Sequence, residues 1–292
     1  MATSSAAEWS SCGSAWVRRL TSVQAPLLVA TDVDGTLLDP DERVSPRAAT
    51  VIGRLVGAGA GFVLVTGRPP RWIPPVTAQL DVARLAVCAN GSVLYDVVED
   101  RVLSVRTLDV RTLADVAAAA VETFPGCGLA VERAEVGARG SDGHPFVADP
   151  DYLHAWPGAD HGRMTRAQLL DRPAVKLLVR FPELSSDAMA AAFEPVVGAA
   201  VDMTFSHSGG LLEVSPPEVT KATGLAEVAG DLGVEAADTV AFGDMPNDVE
   251  MLRWVGHGVA MGNAHPAALS AADEVTASNA EDGVALVLER WF

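Results

Sequence analysis

The chain has 292 residues, enough for one large core or two smaller ones, with 49% hydrophobic and 20% charged residues, a globular composition. Its formal net charge of -17 argues against a nucleic-acid or anionic-membrane surface, but leaves small phosphorylated partners open because the local field decides there. Three scattered cysteines (Cys12, Cys88, Cys127) and six histidines without an H-E-x-x-H pattern disfavour a disulfide framework or a zinc hydrolase, and a reducing, cytoplasmic compartment is expected.

Residues 1–25 are rich in Ser and Ala, carry Arg18-Arg19 and have only Glu8 as an acid. No apolar run there is long enough for a signal core or a membrane span, so a disordered extension or an early start codon is expected, with organelle targeting as the alternative. The run Leu27–Ala30 then reads as a buried parallel strand, because it is continuously apolar, and it leads into Thr31-Asp32-Val33-Asp34-Gly35-Thr36-Leu37-Leu38. Two acids one residue apart at a strand end are either an acidic turn or a metal-assisted catalytic pair, since buried charge must be paired or bound to metal. Ser45-Pro46 reads as an N-cap and first helical position, and Val51, Ile52, Leu55 and Val56 make a helical stripe ending at Gly57 and Gly59. Phe62–Val65 is a second buried strand, stopping at Thr66-Gly67-Arg68, and Leu85–Cys88 is a third, ending at Ala89-Asn90-Gly91.

From 94 to 205 the character changes to an inserted α+β domain. Val93–Tyr95 and Arg101–Val105 read as a hairpin, Thr112–Phe124 as a helix and Leu129–Glu132 as a strand. Gly137–Gly162 reads as loop, with His144, Tyr152, His154, Trp156 and His161 as either pocket lining or surface groups. Ala174–Phe181 (strand), Ser185–Val197 (helix) and Val201–Phe205 (strand) complete it. The parallel pattern is expected to resume at Leu211–Val214. A helix from Thr220, the strand Thr239–Phe242 before Gly243-Asp244, a helix near Asp248–Val255, a strand near Gly258–Met261, a helix after Pro266 and a terminal helix near Asp282–Arg290 follow. The domains are thus a Rossmann-like parallel-sheet core (26–93 and 206–292) and an α+β cap (94–205).

Asp32, Asp34, Thr66 and Asp244 each fall just past the carboxyl end of an expected parallel strand, the edge where open α/β sheets bind ligands. Hard oxygen ligands without Cys or His favour magnesium over zinc. Thr66 can donate to a phosphate oxygen, and Lys221 at a helix start can supply positive charge, which together meet much of what phosphoryl transfer needs. The bland readings are a strand-ending cap for Thr66, a solvated lysine for Lys221 and a simple hairpin turn for Asn90-Gly91.

Asp32-Val33-Asp34-Gly35-Thr36-Leu37-Leu38 resembles the first motif of the haloacid dehalogenase-like superfamily, Thr66-Gly67-Arg68 its second, Lys221 its third and Gly243-Asp244-Met245-Pro246-Asn247-Asp248 its fourth. The insertion between the second and third motifs, with Asn90-Gly91 before it, resembles the Cof-type sugar-phosphatase branch from about Pro26 to the C-terminus. One departure is that Lys221 is followed by Ala222-Thr223-Gly224, where relatives often place glycine directly. The resemblance implies a phosphatase of small phosphorylated metabolites, with Asp32 as nucleophile and Asp34 as acid and base. It implies Mg2+ held by Asp32, the Asp34 carbonyl and Asp244 with Asp248 near, and phosphate held by Thr66, Gly67, Lys221, Asn247 and Asn90. Arg68 is expected to steady the loop or a neighbouring acid. A phosphomutase and a non-catalytic phosphate sensor are the alternatives. No nucleic acid or membrane partner is expected, and the oligomer is monomer or homodimer.

Overall fold

The computed structural model describes residues 25–80, 82–134, 145–155 and 162–292. The expectations for residues 1–24, His144, Trp156 and His161 lie outside the described residues. In chain order the strands are β1 (Leu28–Thr31), β2 (Gly61–Val65), β3 (Leu85–Cys88), β4 (Val93–Asp96), β5 (Arg101–Val105), β6 (Gly128–Glu132), β7 (Phe146–Ala148), β8 (Gly162–Arg163), β9 (Lys176–Arg180), β10 (Asp202–Thr204), β11 (Leu211–Ser215), β12 (Thr239–Gly243), β13 (His257–Ala260) and β14 (Glu274–Val275).

These strands form two sheets. The first has the order β14-β13-β12-β1-β2-β3-β4-β5, parallel from β14 to β3 and antiparallel beyond it. Its inner strands, from β12 through β1 and β2 to β3, are buried on both faces, which is why they read as apolar runs. On one face Val29, Leu64 and Phe242 pack with Val51, Ile52 and Leu55 of the helix Pro46–Gly57 and with Val284 and Leu288 of the helix Gly283–Leu288. On the other, Ala30, Val63, Val87 and Ala241 pack with Leu225 and Val228 of the helix Lys221–Leu232 and Met251 of the helix Val249–Trp254. Ser45 caps the first helix by accepting from the Ala48 amide at 3.0 Å. The chain leaves β1 toward β2 on one side and reaches β12 on the other, so the order reverses at β1 and opens a crevice at its carboxyl end.

The second sheet has the order β10-β11-β9-β6-β7-β8, antiparallel except for β7 with β8. Leu129, Val131, Leu177, Val179, Leu212 and Val214 face the helices Val110–Thr123 and Ser186–Val197, which contribute Leu113, Val116, Met189 and Phe193. This sheet is the inserted cap on an α/β core.

Three expectations are corrected by strand pairing. The hairpin β4–β5 continues the core sheet from β3 and does not join the insertion. Val93, Leu94 and Tyr95 are buried, because a strand beside β3 is covered by helices on both faces, whereas β5 is an edge with alternating exposure. Leu211–Ser215 does not resume the parallel sheet; it lies antiparallel between β9 and β10. Its alternation places Leu212 and Val214 on the helix-covered face and Glu213 and Ser215 on the other, which a purely apolar reading of Leu211–Val214 hides. Within the expected loop 137–162, Phe146–Ala148 is a strand paired with β6.

Candidate active site

The crevice is built from the ends of β1, β2, β3 and β12 and the start of the helix Lys221–Leu232. β1 delivers Asp32 almost fully buried, with its amide bonded to the Phe242 carbonyl at 2.9 Å. The chain must then turn sharply, and Gly35 does so at φ +75°. A Cβ on Gly35 would lie 2.3 Å from Asp244 Oδ2, so the backbone of this turn is pressed against the Asp244 carboxylate. Thr36 Oγ1 donates to Asp244 Oδ1 at 3.2 Å.

Asp32, Asp244 and Asp248 bring one carboxylate oxygen each within 4.8 Å of one another, all buried. Among the described residues one cation is bonded to them. Lys221 Nζ donates to Asp32 Oδ1 and to Asp248 Oδ1, each at 2.6 Å, with its side chain fully enclosed. Thr220 and Thr223 form a reciprocal cap that fixes this lysine as the first residue of its helix. Asp248 is also held by the Asp244 and Met245 amides, which donate to its Oδ2 at 3.0 and 2.9 Å. Both Asp248 oxygens are therefore committed within the protein.

Burial pushes the Asp32 carboxyl well above its ordinary value, opposed by Lys221 and reinforced by Asp248 and Asp244. Burial, then the Asp248 charge, pushes Asp244 up to about 7, against the pull of Lys221. For Lys221 burial works against the charge, but Asp248 and Asp32 outweigh it and keep the ammonium protonated. Three acids sharing one ammonium leave a surplus of negative charge in a buried, all-oxygen donor set, which fits a hard divalent cation.

Around this cluster lie the other expected residues. Thr66 is buried, and its Oγ1 accepts from the Arg68 amide at 3.1 Å. A Cβ on Gly67 would come 3.1 Å from Asn90 Oδ1 and 3.8 Å from Asn247 Nδ2, so these three residues share one spot. Asn247 Nδ2 donates to Asn90 Oδ1 at 3.1 Å. Asp34 points elsewhere: its carboxylate is 58% exposed and held bidentately by Arg68, Nε to Oδ2 at 2.8 Å and Nη2 to Oδ1 at 2.5 Å.

A family model for haloacid dehalogenase-like hydrolases matches residues 29–288. The chain belongs to the haloacid dehalogenase-like hydrolases. It is 32% identical over 273 residues to the HMP-PP phosphatase of Serratia proteamaculans, covering 91% of this chain and 95% of that protein. It is 29% identical over 275 residues to the 5-amino-6-(5-phospho-D-ribitylamino)uracil phosphatase YitU of Bacillus subtilis, covering 91% and 98%. A solved sugar phosphatase of subclass IIB of this superfamily has the same fold, with a TM-score of 0.73 at 19% identity over 90% of this chain and 98% of that one. The class of enzyme is phosphatase, as its full-length relatives are named.

In this haloacid dehalogenase-like hydrolase the expected residues divide by position. Asp32, Asp244, Asp248 and Lys221 form one buried cluster, and Thr66, Gly67, Asn90 and Asn247 surround it. The Asp34 carboxylate stands outside the cluster on Arg68, so only its main chain is free of that ion pair. Lys221, expected on phosphate, has its ammonium on the two acids. Further along the same helix, a Cβ on Gly224 would lie 2.4 Å from Val87 Cγ1 and 3.1 Å from Gly91 Cα, so a small residue is needed at that helical position. Two residues of the neighbourhood escape sequence reading, Lys176 and Glu213. Their signal is a charge set among apolar strand residues, Lys176 in Ala174–Phe181, which also carries Arg180, and Glu213 in Leu211–Val214. Cys88 is enclosed and burial pushes its thiol up, which removes it as a nucleophile.

Proposed function

We propose that the chain is a magnesium-dependent phosphatase of small phosphorylated metabolites, sugar phosphates foremost, that works through an aspartyl-phosphate on Asp32 in the cytoplasm. The observation that carries this reading is the buried Asp32–Asp244–Asp248 cluster, only partly balanced by Lys221, at the reversal point of the sheet. Two relatives are named for differently shaped phosphorylated compounds, so the choice of leaving group belongs to the cap and differs among relatives.

Asp32 and Asp244 would hold the cation, with Asp248 fixing Lys221 and the loop amides behind them. When bound, the cation neutralises charge on the phosphate oxygens and on the clustered acids. Asp32 Oδ1 is tethered to Lys221, so the carboxylate is aimed before substrate arrives. A bond forms between an Asp32 oxygen and phosphorus as the ester P–O bond breaks, and Asp34 gives its proton to the departing oxygen. Asp34 then takes a proton from water, whose oxygen bonds phosphorus as the Asp32–phosphoryl bond breaks and phosphate leaves. Thr66, Gly67, Asn90 and Asn247 would hold the phosphoryl oxygens, a role supported by the mutual contacts of Gly67, Asn90 and Asn247. Because Arg68 engages both Asp34 oxygens, Asp34 must leave that guanidinium and take up a proton from solvent before it can serve the ester as an acid.

A panel of phosphate monoesters tests this reading: phosphate release that depends on added magnesium is expected, and none on any ester with magnesium present would overturn it. The same cluster sets a pH dependence. In the metal-free protein Asp244 holds a proton up to about pH 7 that an unfolded chain has released by about pH 4. The folded state therefore binds more protons across that window, and its stability falls as pH rises through it. Metal binding displaces the proton, so the rise in melting temperature caused by magnesium should be larger at the alkaline end of the window than at the acid end. An equal or reversed shift would show that Asp244 does not hold the ion.

A further inference from the structure

The chain has two lysines, Lys176 and Lys221, and both are buried beside the same crevice. Lys221 serves the acidic cluster. Lys176 belongs to the cap, on the face of the second sheet that its helices leave uncovered. That face carries Glu132 on β6, Lys176 on β9 and Glu213 on β11, with exposures of 5%, 5% and 1%. Glu132 and Lys176 are direct cross-strand neighbours. Three enclosed charges on a small sheet are costly unless each is paired, and a face that served only for docking could be apolar.

Each charge reaches a core loop that the substrate site uses. Glu132 takes Arg71, just past Thr66-Gly67-Arg68, bidentately at 2.5 and 2.8 Å. Lys176 Nζ donates to the Gly67 carbonyl at 2.9 Å and pairs with Glu213. Glu213 accepts from Asn90 Nδ2 at 3.0 Å and from Ser206 Oγ. Asn90 passes the contact on through its Oδ1 to Asn247 Nδ2. Burial alone would push the Glu213 carboxyl up, but Lys176 and the hydrogen bonds from Lys176, Ser206 and Asn90 hold it below its ordinary value. Asn90 sits in a strained stretch: Ala89 and Asn90 have φ of +49° and +57°, and alanine adopts that region at a cost. The next residue, Gly91, lies so close that a Cβ would meet the Thr220 carbonyl at 2.1 Å, directly before Lys221.

We propose that Lys176 and Glu213 are positioning residues of the cap, which set the Gly67 carbonyl and the Asn90–Asn247 amides so that the phosphate-holding loops are assembled only with the cap in place. The proposal rests on the phosphatase reading above. It gives the cap a second task besides choosing the leaving group: its inner face is part of the support for the phosphoryl group. Neither residue touches the reacting atoms, so their loss acts on phosphate affinity through Gly67, Asn90 and Asn247.

The test uses the full chain with magnesium, p-nitrophenyl phosphate as substrate and inorganic phosphate as inhibitor. The double variant Lys176→Met/Glu213→Gln keeps shape while removing both buried charges, a change that folds commonly tolerate. KM and the phosphate inhibition constant should both rise about tenfold, as for other residues that orient a binding group, with the melting temperature nearly unchanged. Asn90→Ala should weaken phosphate strongly in the wild type and add little in the double variant, because both act along one path. Unchanged phosphate inhibition in the double variant, or an equal Asn90→Ala effect in both backgrounds, would overturn the proposal. If the double variant does not fold, Glu213→Gln alone should raise both constants less but in the same direction, and no rise would overturn it. A wild type that neither hydrolyses the ester nor binds phosphate removes the phosphatase reading and this one with it; an active wild type with an unaffected double variant removes this one alone.

Discussion

Asp32→Asn should reduce phosphate release by about three orders of magnitude or more while leaving the metal-free protein folded. The amide keeps the shape of the carboxylate but is a far poorer nucleophile, so no covalent phosphoryl transfer starts from it. The fold should tolerate the change because Asp32 is a source of tension. Its carboxyl is buried, pushed up, and repelled by Asp244 and Asp248. With asparagine there, Lys221 keeps its 2.6 Å bond to Asp248 and two acids share one ammonium. The variant's melting temperature without metal should therefore match or exceed that of the wild type, the usual exchange between a functional site and stability. Activity equal to the wild type would remove Asp32 as nucleophile, and a large loss of stability would show that its bond to Lys221 matters more to the fold than the repulsion.

Lys221→Met acts in the opposite sense. It leaves Asp32 and Asp248 enclosed beside Asp244 without a cation, and stranding a buried charge costs about 3–5 kcal/mol. The loss should be greatest at neutral pH and smaller in acid, because protonating the acids relieves it. Magnesium should restore part of it, by supplying the missing positive charge. Denaturant unfolding at neutral and acid pH, with and without magnesium, measures all three. Turnover should fall in the folded fraction too, because Asp32 is no longer aimed by Lys221. Unaltered stability at neutral pH together with unaltered turnover would contradict the geometry of the cluster.

Much of this site is legible in the chain because its residues sit where local pattern is strongest. Asp32, Thr66 and Asp244 follow continuous apolar runs, and such runs end at a known edge of an open α/β sheet. Periodicity tells which face a residue takes but not which strand lies beside it. Hence Val93–Tyr95 with Arg101–Val105, and Leu211–Val214, read as strands from sequence but belong to the opposite sheets from those the pattern suggests. The direction of a long side chain is equally hidden: Lys221 reads as a phosphate ligand by its place at a helix start, yet its ammonium lies on Asp32 and Asp248, which are remote in sequence. Lys176 and Glu213 were missed for the same reason, since the partners that make them meaningful, Gly67 and Asn90, belong to core loops far upstream in the chain. Asp34 was expected next to Asp32 in function, and its side chain instead turns out to Arg68, a pairing that sequence supports only as a steadying contact.

The covalent step is the centre of this account, and mass measurement after a chemical quench tests it most directly. Asp34→Asn should still accept the phosphoryl group from an activated ester such as p-nitrophenyl phosphate, whose leaving group needs little protonation, but should release it slowly for want of a base. Acid quenching of that variant during turnover should therefore show one added phosphoryl group on the peptide that contains Asp32. Phosphate release without any such adduct, or an adduct on another residue, would contradict Asp32 as the nucleophile.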